Sequence, residues 1–332
     1  MNELTRKRLR RFGKEKRAVA ALAALIVISF FSFTAEFWAN SKPLLLHFHG
    51  STYMPVARDY HPTVFGVTDR LTMDYRTLPM GQGDWAIWPI VKWDPFENNA
   101  NVAAYPSKPT LTNLLGTDDR GRDVFARLLY GYRYSISYAV LVWAICVALS
   151  ITLGGVMGYS GGWIDLVGQR VVEVLSTVPY LLLLILLISI FKPSLGLLIV
   201  LTSLFGWISL SYYVRGEFLK NRKREFVEAA RAMGGSHARL IFKHILPNSL
   251  VPVVTQSPFI IAAHIYGLAA LDYLGFGLTP PIPSWGELLN QAKSHVTVAW
   301  WLALFPSLAL FVTLTLFGLV GEGFRNAFDP RK

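Results

Sequence analysis

Long apolar runs alternate with polar segments over most of the chain, and this alternation predicts membrane-spanning helices. A helix needs about 20 mainly apolar residues to cross the hydrocarbon core of a bilayer. Segments of that kind lie at about residues 18–35, 137–157, 171–191, 194–214, 250–271 and 296–320. The pattern therefore predicts an all-α integral membrane protein with six transmembrane helices.

The composition agrees with a membrane protein. Of the 332 residues, 53% are hydrophobic and 16% are charged, whereas soluble domains carry about 25% charged residues. The single cysteine, Cys146, lies inside an apolar run, so no disulfide framework is available. We expect it to be a small buried hydrophobic residue rather than a reactive thiol.

The net charge of +11 is unevenly distributed. Residues 6–17 hold eight basic side chains and one acidic side chain, and residues 215–243 hold eight basic and three acidic side chains. Residues 36–134 between them hold ten basic and ten acidic side chains. Basic clusters beside apolar spans follow the positive-inside rule, so the charge gives no reason to expect nucleic-acid binding.

The same rule sets the orientation. With the N-terminus in the cytoplasm, six spans place residues 213–249 and the basic C-terminal tail in the cytoplasm too. Four arginines fall on the outer side against the rule, which is weak for long loops: Arg120, Arg122, Arg127 and Arg133. The chain then divides into a basic cytoplasmic N-terminus, a first span, an extracytoplasmic insert, a transport core and a cytoplasmic tail, at residues 1–17, 18–35, 36–134, 135–320 and 321–332.

The first span has an alternative interpretation as a cleaved signal peptide. Cleavage needs small residues before the cut. After Ala35 or Ala39, the residue three positions before the cleaved bond would be the bulky Phe33 or Phe37. We therefore favour an uncleaved membrane anchor.

The insert after the first span has no long helical period and is predicted to be irregular but folded. Its stretch GQGDWAIWPIVKWDPFENN contains tryptophans that offer a large apolar surface to bury. His47, His49 and His61 raise a metal-site hypothesis, but HFH alone is a weak signal. Structural roles are favoured for these histidines.

The insert ends in GTDDRGRDVFARLLYGYRYS, which predicts an amphipathic helix leading into the second span. Thr117 or Asp118 can cap its N-terminus. Apolar positions would share one face: Val124, Phe125, Leu128 and Leu129. Arg122 and Arg127 would lie elsewhere. Such a helix fits the membrane surface, and an ordinary surface helix of the insert remains the alternative.

A polar, basic loop at residues 215–249 separates the fourth and fifth predicted spans. REFVEAARAM predicts a helix with helically spaced Phe226, Ala229, Ala230 and Met233. Gly234 and Gly235 would end it.

The second half of the loop predicts another helix, HARLIFKHIL, capped by Ser236. Leu240, Ile241 and Ile245 would share its apolar face, and Pro247 would limit its continuation. From these residues alone, an amphipathic loop resting on lipid headgroups remains open.

The loop resembles the EAA motif of bacterial ABC importer permeases, which reads EAA, three residues, G, nine residues, I, one residue and LP. The matching positions are Glu228, Ala229, Ala230, Gly234, Leu246 and Pro247. His244 stands where the motif usually has Ile. That departure resembles the peptide-import branch, in which HILPN is common.

Two further blocks resemble the oligopeptide/dipeptide permease family. GTDDRGRDVFARLLYGYRYS is similar to its GTD..GRDVFSRLLYG.R.S block, and LDYLGFGLTPPIPSWGELL to its LSFLGLG..PPTPSWG.LL block. Leu268 stands where the family often has Glu, and Asp272 lies one helical turn later. The resemblance covers about residues 110–332 and the first span. The long insert resembles that of a branch that imports microcin C and oligopeptides.

The resemblance implies a permease subunit of an ATP-driven importer in the bacterial inner membrane. The chain has no G-x-x-x-x-G-K-[ST] phosphate loop, so we expect no cofactor on this chain and ATP and Mg²⁺ on a separate ATPase. The implied partners are that ATPase, a second permease that is expected to be a paralogue, and a periplasmic peptide-binding protein. In the family, this loop docks on the ATPase. Glu228 would then offer its carboxylate to a basic group, and Gly234 would allow the turn.

Ionisable groups inside spans are candidates for a transport path. His264 and Asp272 fall in the fifth predicted span, and Glu173 lies near the end of the third. His264 could instead bond between helices. Three alternatives remain for the function: a permease for another solute such as a nickel complex, a passive channel or ion-coupled carrier, and a scaffold that recruits an ATPase.

Overall fold

The computed structural model describes residues 3–191 and 193–328, and most of them are helical. The end of the predicted cytoplasmic tail, residues 329–332, lies outside the described residues, as do residues 1 and 2 of the basic N-terminus. The helices are α1 (Glu3–Lys14), α2 (Lys16–Phe33), α3 (Val124–Leu149), α4 (Gly155–Ser160), α5 (Gly162–Thr177), α6 (Tyr180–Ile190), α7 (Leu195–Gly206), α8 (Ile208–Asn221), α9 (Glu225–Ala232), α10 (His237–Arg239), α11 (Leu246–Ser249), α12 (Val251–Tyr273), α13 (Trp285–His295) and α14 (Trp300–Phe328).

Four helical stretches of the described chain are long and apolar enough to cross a membrane. They are α2, the stretch Val124–Ser160 formed by α3, a π-helical turn and α4, and the helices α12 and α14. These stretches match the first, second, fifth and sixth predicted spans.

The third and fourth predicted spans are each broken into two helices, which corrects the prediction of one continuous helix for each. α5 and α6 meet at 74°, because Pro179 has no N–H to donate and holds Val178 in an extended conformation. α7 and α8 meet at 41°, where Gly206 lowers the cost of leaving helical geometry.

The predicted start of the helix at the end of the insert is also wrong. Asp123, not Thr117 or Asp118, caps α3: its carboxylate accepts the Ala126 N–H at 2.8 Å. Thr117 instead accepts a hydrogen bond from the N–H of a preceding loop residue. Burial raises the pKa of Asp123 to about 6, although hydrogen bonds from Ala126 and Asn113 oppose this shift. α3 then runs without a break into the span.

The described residues form two compact units. The first comprises the described parts of residues 1–25, 136–268 and 313–332. Its principal core cluster contains Leu210, Val214, Phe218, Val227, Ala230, Leu240, Ile245 and Val253. This cluster joins α8, the following loop and α12.

The second unit comprises residues 26–135 and 269–312. The insert is more regular here than predicted, because it contains an antiparallel sheet of β1 (Leu45–Phe48), β2 (Ser51–Tyr53) and β3 (Trp85–Ile87), in the order β2-β1-β3. The sheet covers an aromatic core with Phe48, Phe65 and Tyr75.

In the first unit, α4 and the π-helical turn that precedes it pack against α8 through glycines. A Cβ added to Gly154 would lie 2.7 Å from the Ser211 carbonyl oxygen, and one added to Gly158 would lie 2.6 Å from the Arg215 carbonyl oxygen. Any side chain at these positions would push the two backbones apart. The close contact therefore requires glycine.

We expect Gly158→Ala to lower the free energy of unfolding by about 1–3 kcal/mol, because overpacking forces neighbouring atoms to move. Gly216→Ala is the matched control, since a Cβ there meets no atom within 4 Å. Thermal unfolding in detergent measures both variants. An equal change in the two would contradict the prediction.

Candidate coupling loop and membrane-interior site

The loop between α8 and α12, residues 222–250, is named here the EAA loop. Its first helix, α9, has two different sides. Val227 and Ala230 are buried against α8. The outer side carries exposed Phe226, Glu228, Ala229 and Met233. The face predicted as one is therefore divided: Ala230 points into the core, and the other three members point outward.

The predicted glycine break after α9 is present. Gly234 adopts a left-handed backbone conformation with φ of 79°, which glycine takes at little cost. The Gly235 N–H donates to the Ala230 carbonyl at 3.0 Å, and a Cβ on Gly235 would lie 2.7 Å from that oxygen. The turn thus has a single tight geometry.

The second half of the loop begins as predicted. Ser236 Oγ accepts the Arg239 N–H at 3.4 Å and caps α10. The predicted apolar face is confirmed, because Leu240 and Ile245 are fully buried and Ile241 packs against the same cluster.

Pro247 does not stop the helical path, which corrects the prediction. It lies in the first turn of α11, where a missing N–H breaks no helical hydrogen bond. The π-helical turn Leu240–Ile245 precedes it. Leu246 packs against the core cluster. His244 is half-buried, and its carbonyl accepts the Asn248 side-chain amide at 2.7 Å.

Large apolar side chains nevertheless point away from this core. Met233 is 83% exposed, Phe242 69% and Phe226 43%. These side chains leave apolar surface uncovered on a polar segment, and such surface is available for contact with a partner. The EAA loop therefore has a fixed inner side and an outer side suited to a partner.

Polar contacts fasten the loop to neighbouring helices. The Tyr159 hydroxyl and His237 Nδ1 share a hydrogen bond of 2.5 Å, and Arg222 donates to the Tyr159 carbonyl at 2.8 Å. Arg215 forms two bonds, of 2.5 and 2.7 Å, with the Asp165 carboxylate. We call these five residues the polar link. It joins the loop to α4 through Arg222 and His237, and it joins α8 to α5 through Arg215 and Asp165.

His264 lies in α12 with its Nε2 buried and without a hydrogen-bond partner among the described residues. Ser203 Oγ of α7 is buried and equally unpartnered within that part of the chain. His264 Cε1 lies 3.5 Å from the position that a Cβ on Gly206 would take. No described residue therefore forms the interhelical hydrogen bond with His264 Nε2 that the sequence left open.

Asp272, the other candidate path residue, is bound by its own chain. Its carboxylate accepts the Leu278 N–H at 2.6 Å and the Ser284 hydroxyl. A Cβ on Gly277 would overlap the carboxylate. These contacts make Asp272 an anchor for the turn after α12.

Sequence reasoning missed a buried ionic cluster. Arg122 donates to Asp118 at 2.7 Å and to Glu287 at 2.9 Å. Arg127 bonds the other Glu287 oxygen and donates to the Pro95 carbonyl at 2.9 Å. Burial alone would lower the pKa of Arg122, but Asp118 and Glu287 outweigh it and raise that pKa.

A signal for this cluster was present in the sequence. The predicted topology puts Arg122 and Arg127 on the side of the membrane that the positive-inside rule disfavours. Both are almost fully buried, and a buried arginine needs a carboxylate partner. The departure of these two arginines from the positive-inside rule therefore indicated that they are paired with carboxylates.

The three insert histidines have structural contacts. His47 bonds Thr52 at 3.1 Å and stacks on Trp85, His49 stacks on Phe48, and His61 bonds Thr63 at 2.9 Å. The described residues contain no group of three or more His, Cys, Asp or Glu side chains that could hold a metal ion.

Residues 150–332 match the family described as "Binding-protein-dependent transport system inner membrane component". The chain belongs to this family and is a permease subunit of an ABC importer, as the EAA motif predicted.

Two relatives align over almost the whole chain. It is 38% identical to "Inner membrane ABC transporter permease protein YejE" of Escherichia coli K12, over 100% of this chain and 98% of that protein. It is 36% identical to "Peptidoglycan transport system permease protein YejE" of Agrobacterium fabrum, over 99% and 93%. These alignments include the long insert, in agreement with the resemblance seen in the sequence.

Partial relatives and a solved structure agree on the fold. "Dipeptide transport system permease protein DppC" of Bacillus subtilis is 36% identical over 67% of this chain and 70% of its own length. A chain of the MetNI methionine ABC transporter, in an inward-facing conformation, matches with a TM-score of 0.51 and 16% identity. It covers 61% of this chain and 97% of its own, and it shows the permease fold alone.

We expect Asp165→Arg or Arg215→Asp alone to lower the free energy of unfolding by about 1–3 kcal/mol, because each leaves two like charges facing one another in a partly buried contact. The double variant Asp165→Arg/Arg215→Asp should recover most of that loss. Thermal unfolding in detergent measures all three.

The exposed Arg170–Glu173 pair is the control, since reversing Glu173 should change stability by less than about 0.5 kcal/mol. Additive losses in the double variant at 165 and 215 would show that the ion pair is not what holds α5 to α8.

Proposed function

We propose that this chain forms part of the translocation path of an ATP-driven peptide importer and that the outer side of the EAA loop is the docking surface for its ATPase. The observation that carries the proposal is the two-sided loop. Leu240 and Ile245 fix its inner side in the core, while Phe226, Met233 and Phe242 stay exposed. A partner with an apolar groove would cover these side chains.

The outer side of the EAA loop also offers a charged contact and a way to transmit motion. Glu228 is exposed beside the apolar residues and would pair with a basic group of the ATPase. The chain has no phosphate loop of its own. Displacement of the docked loop would pass to α8, because the polar link and the core cluster leave the loop little freedom to move alone.

The supporting argument for peptides comes from relatives. The Bacillus relative is named for dipeptide transport and the Agrobacterium relative for peptidoglycan transport, and peptide groups are common to both substrates. His244 agrees with the peptide-import form of the motif. Oligopeptides are the substrate class proposed here, including peptide conjugates of the microcin C kind, ahead of a nickel complex.

The proposed arrangement has six spans, with each bent pair counted as one. The N- and C-termini would lie in the cytoplasm of a bacterium and the insert outside its inner membrane. A paralogous permease would complete the path, and a periplasmic binding protein would deliver the peptide. The basic segments flanking the spans support this orientation.

We expect Gly234→Pro and Glu228→Lys to abolish at least 90% of peptide uptake while the protein still inserts into the membrane. Proline cannot adopt a φ of 79°, and lysine would repel a basic partner group. The measurements are peptide uptake and ATPase activity of the reconstituted importer.

Gly234→Asn is the matched control, because asparagine tolerates the left-handed conformation, and it should retain most of the uptake. Glu173→Lys, an exposed reversal outside the loop, should also retain uptake. Full uptake by both Gly234→Pro and Glu228→Lys would contradict docking at this loop.

The substrate class is tested by competition. A labelled tripeptide should enter proteoliposomes that contain the importer, its binding protein and ATP, and unlabelled oligopeptides should reduce entry at least tenfold. Peptidoglycan fragments with a peptide stem should compete as well if the peptide is what is recognised. Competition by a nickel complex but not by peptides would contradict the assignment.

A further inference from the structure

The helix α1 and the first residues of α2 carry a dense cluster of positive charge. Residues 6–17 hold eight basic side chains and one acidic one. All eight except Arg8 are exposed. The proposed transport function assigns no binding partner to these basic side chains.

α1 is held in one place by aromatic contacts. Phe12 is buried and stacks on Phe324 of α14 with ring centroids 4.8 Å apart. The Arg8 guanidinium lies 4.6 Å from the centroid of the Phe328 ring. One turn into α2, Ala18 is so close to Gly323 that a Cβ on the glycine would lie 2.2 Å from the alanine Cβ. The helix therefore presents a defined side to its surroundings.

That side is a row of like charges. At about 100° per residue, Arg6, Arg10 and Lys14 follow one another on the side of α1 away from Phe12. No hydrogen bond or ion pair joins these three side chains to another residue in the described part of the chain. Like charges spaced at i, i+4 repel and destabilise a helix, so anions bound beside the row would stabilise it.

The position of α1 selects the source of those anions. A single residue, Glu15, separates α1 from the apolar span α2, and at about 1.5 Å per residue Arg6 lies roughly 15 Å along the chain from the start of that span. The lipid headgroup layer lies within this distance. Leu9, 52% exposed beside the basic row, adds an apolar group that can enter the acyl boundary.

We propose that α1 binds the phosphate headgroups of anionic phospholipids through Arg6, Arg10 and Lys14. Each basic side chain near an anionic bilayer surface strengthens binding by about fivefold. Three such side chains give an effect of about a hundredfold at low salt. Salt weakens it, because exposed charges are screened.

The test uses the full-length chain in nanodiscs and follows hydrogen exchange of the α1 backbone amides. Neutral phosphatidylcholine discs are compared with discs that contain about one third phosphatidylglycerol. We expect exchange in α1 to slow at least tenfold in the anionic discs. High salt should reverse this protection, and the variant R6Q/R10Q/K14Q should lack it.

Controls separate the headgroup from other partners. The variant R58Q/R70Q/K108Q removes three basic residues of the insert and should keep the protection of α1. Equal exchange in the two lipids would overturn the proposal. Equal protection by inorganic phosphate in neutral discs would overturn the lipid assignment, and so would protection that appears only after an ATPase subunit is added.

Discussion

The close approach of α4 to α8 is the constraint on which the described transport core depends. Inside a bilayer, helices are not driven together by the hydrophobic effect, so contact comes from packing and hydrogen bonding. Gly154 and Gly158 let the two backbones touch, and this contact places Phe218 of α8 and Arg222, the first residue of the EAA loop, against α4. Because α8 leads directly into the EAA loop, the position of the loop follows from a contact made about two to three helical turns earlier in the chain.

Buried polar groups divide into two kinds in this structure. Arg122, Arg127 and Glu287 are paired, so their desolvation is offset by charge-assisted hydrogen bonds. His264 Nε2 and Ser203 Oγ are buried without a partner in the described chain, and a buried polar group that stays unpaired costs about 1–3 kcal/mol. Any arrangement of α7 and α12 that satisfied these atoms would recover that cost. A transporter that alternates between arrangements can use such a difference.

Local rules were sufficient for the glycine break and the second helix cap of the EAA loop. The break at Gly234 and the cap at Ser236 could be predicted because each effect involves only a few neighbouring residues. Pro247 was misjudged because its effect depends on its place in a helix: it is disruptive in the interior and harmless in the first turn. The apolar period located the spans, but it carries no information on the bend that Pro179 introduces.

The ionic cluster could not be predicted in the same way, because Arg127 and Glu287 are 160 positions apart. An arginine has the same hydropathy whether it is solvated or paired, and periodicity alone placed Arg127 only away from the apolar face of its helix. Only its conflict with the positive-inside rule distinguished it. A charge that breaks a general rule is thus more informative than one that follows it. The cost of burying such a charge must be offset by a partner of opposite charge.

The rigidity of the EAA loop decides where motion can occur. The tight turn at Gly234 and Gly235, the cluster around Ile245 and the pairing of Arg215 with Asp165 each oppose deformation within the loop or between α8 and α5. A displacement applied at Met233 would therefore move α8 as a unit. The nearest break in that unit is the 41° bend between α7 and α8 at Trp207, next to a glycine that adds no side-chain resistance. Motion driven from the loop would concentrate at this bend, and the bend adjoins His264 through Gly206.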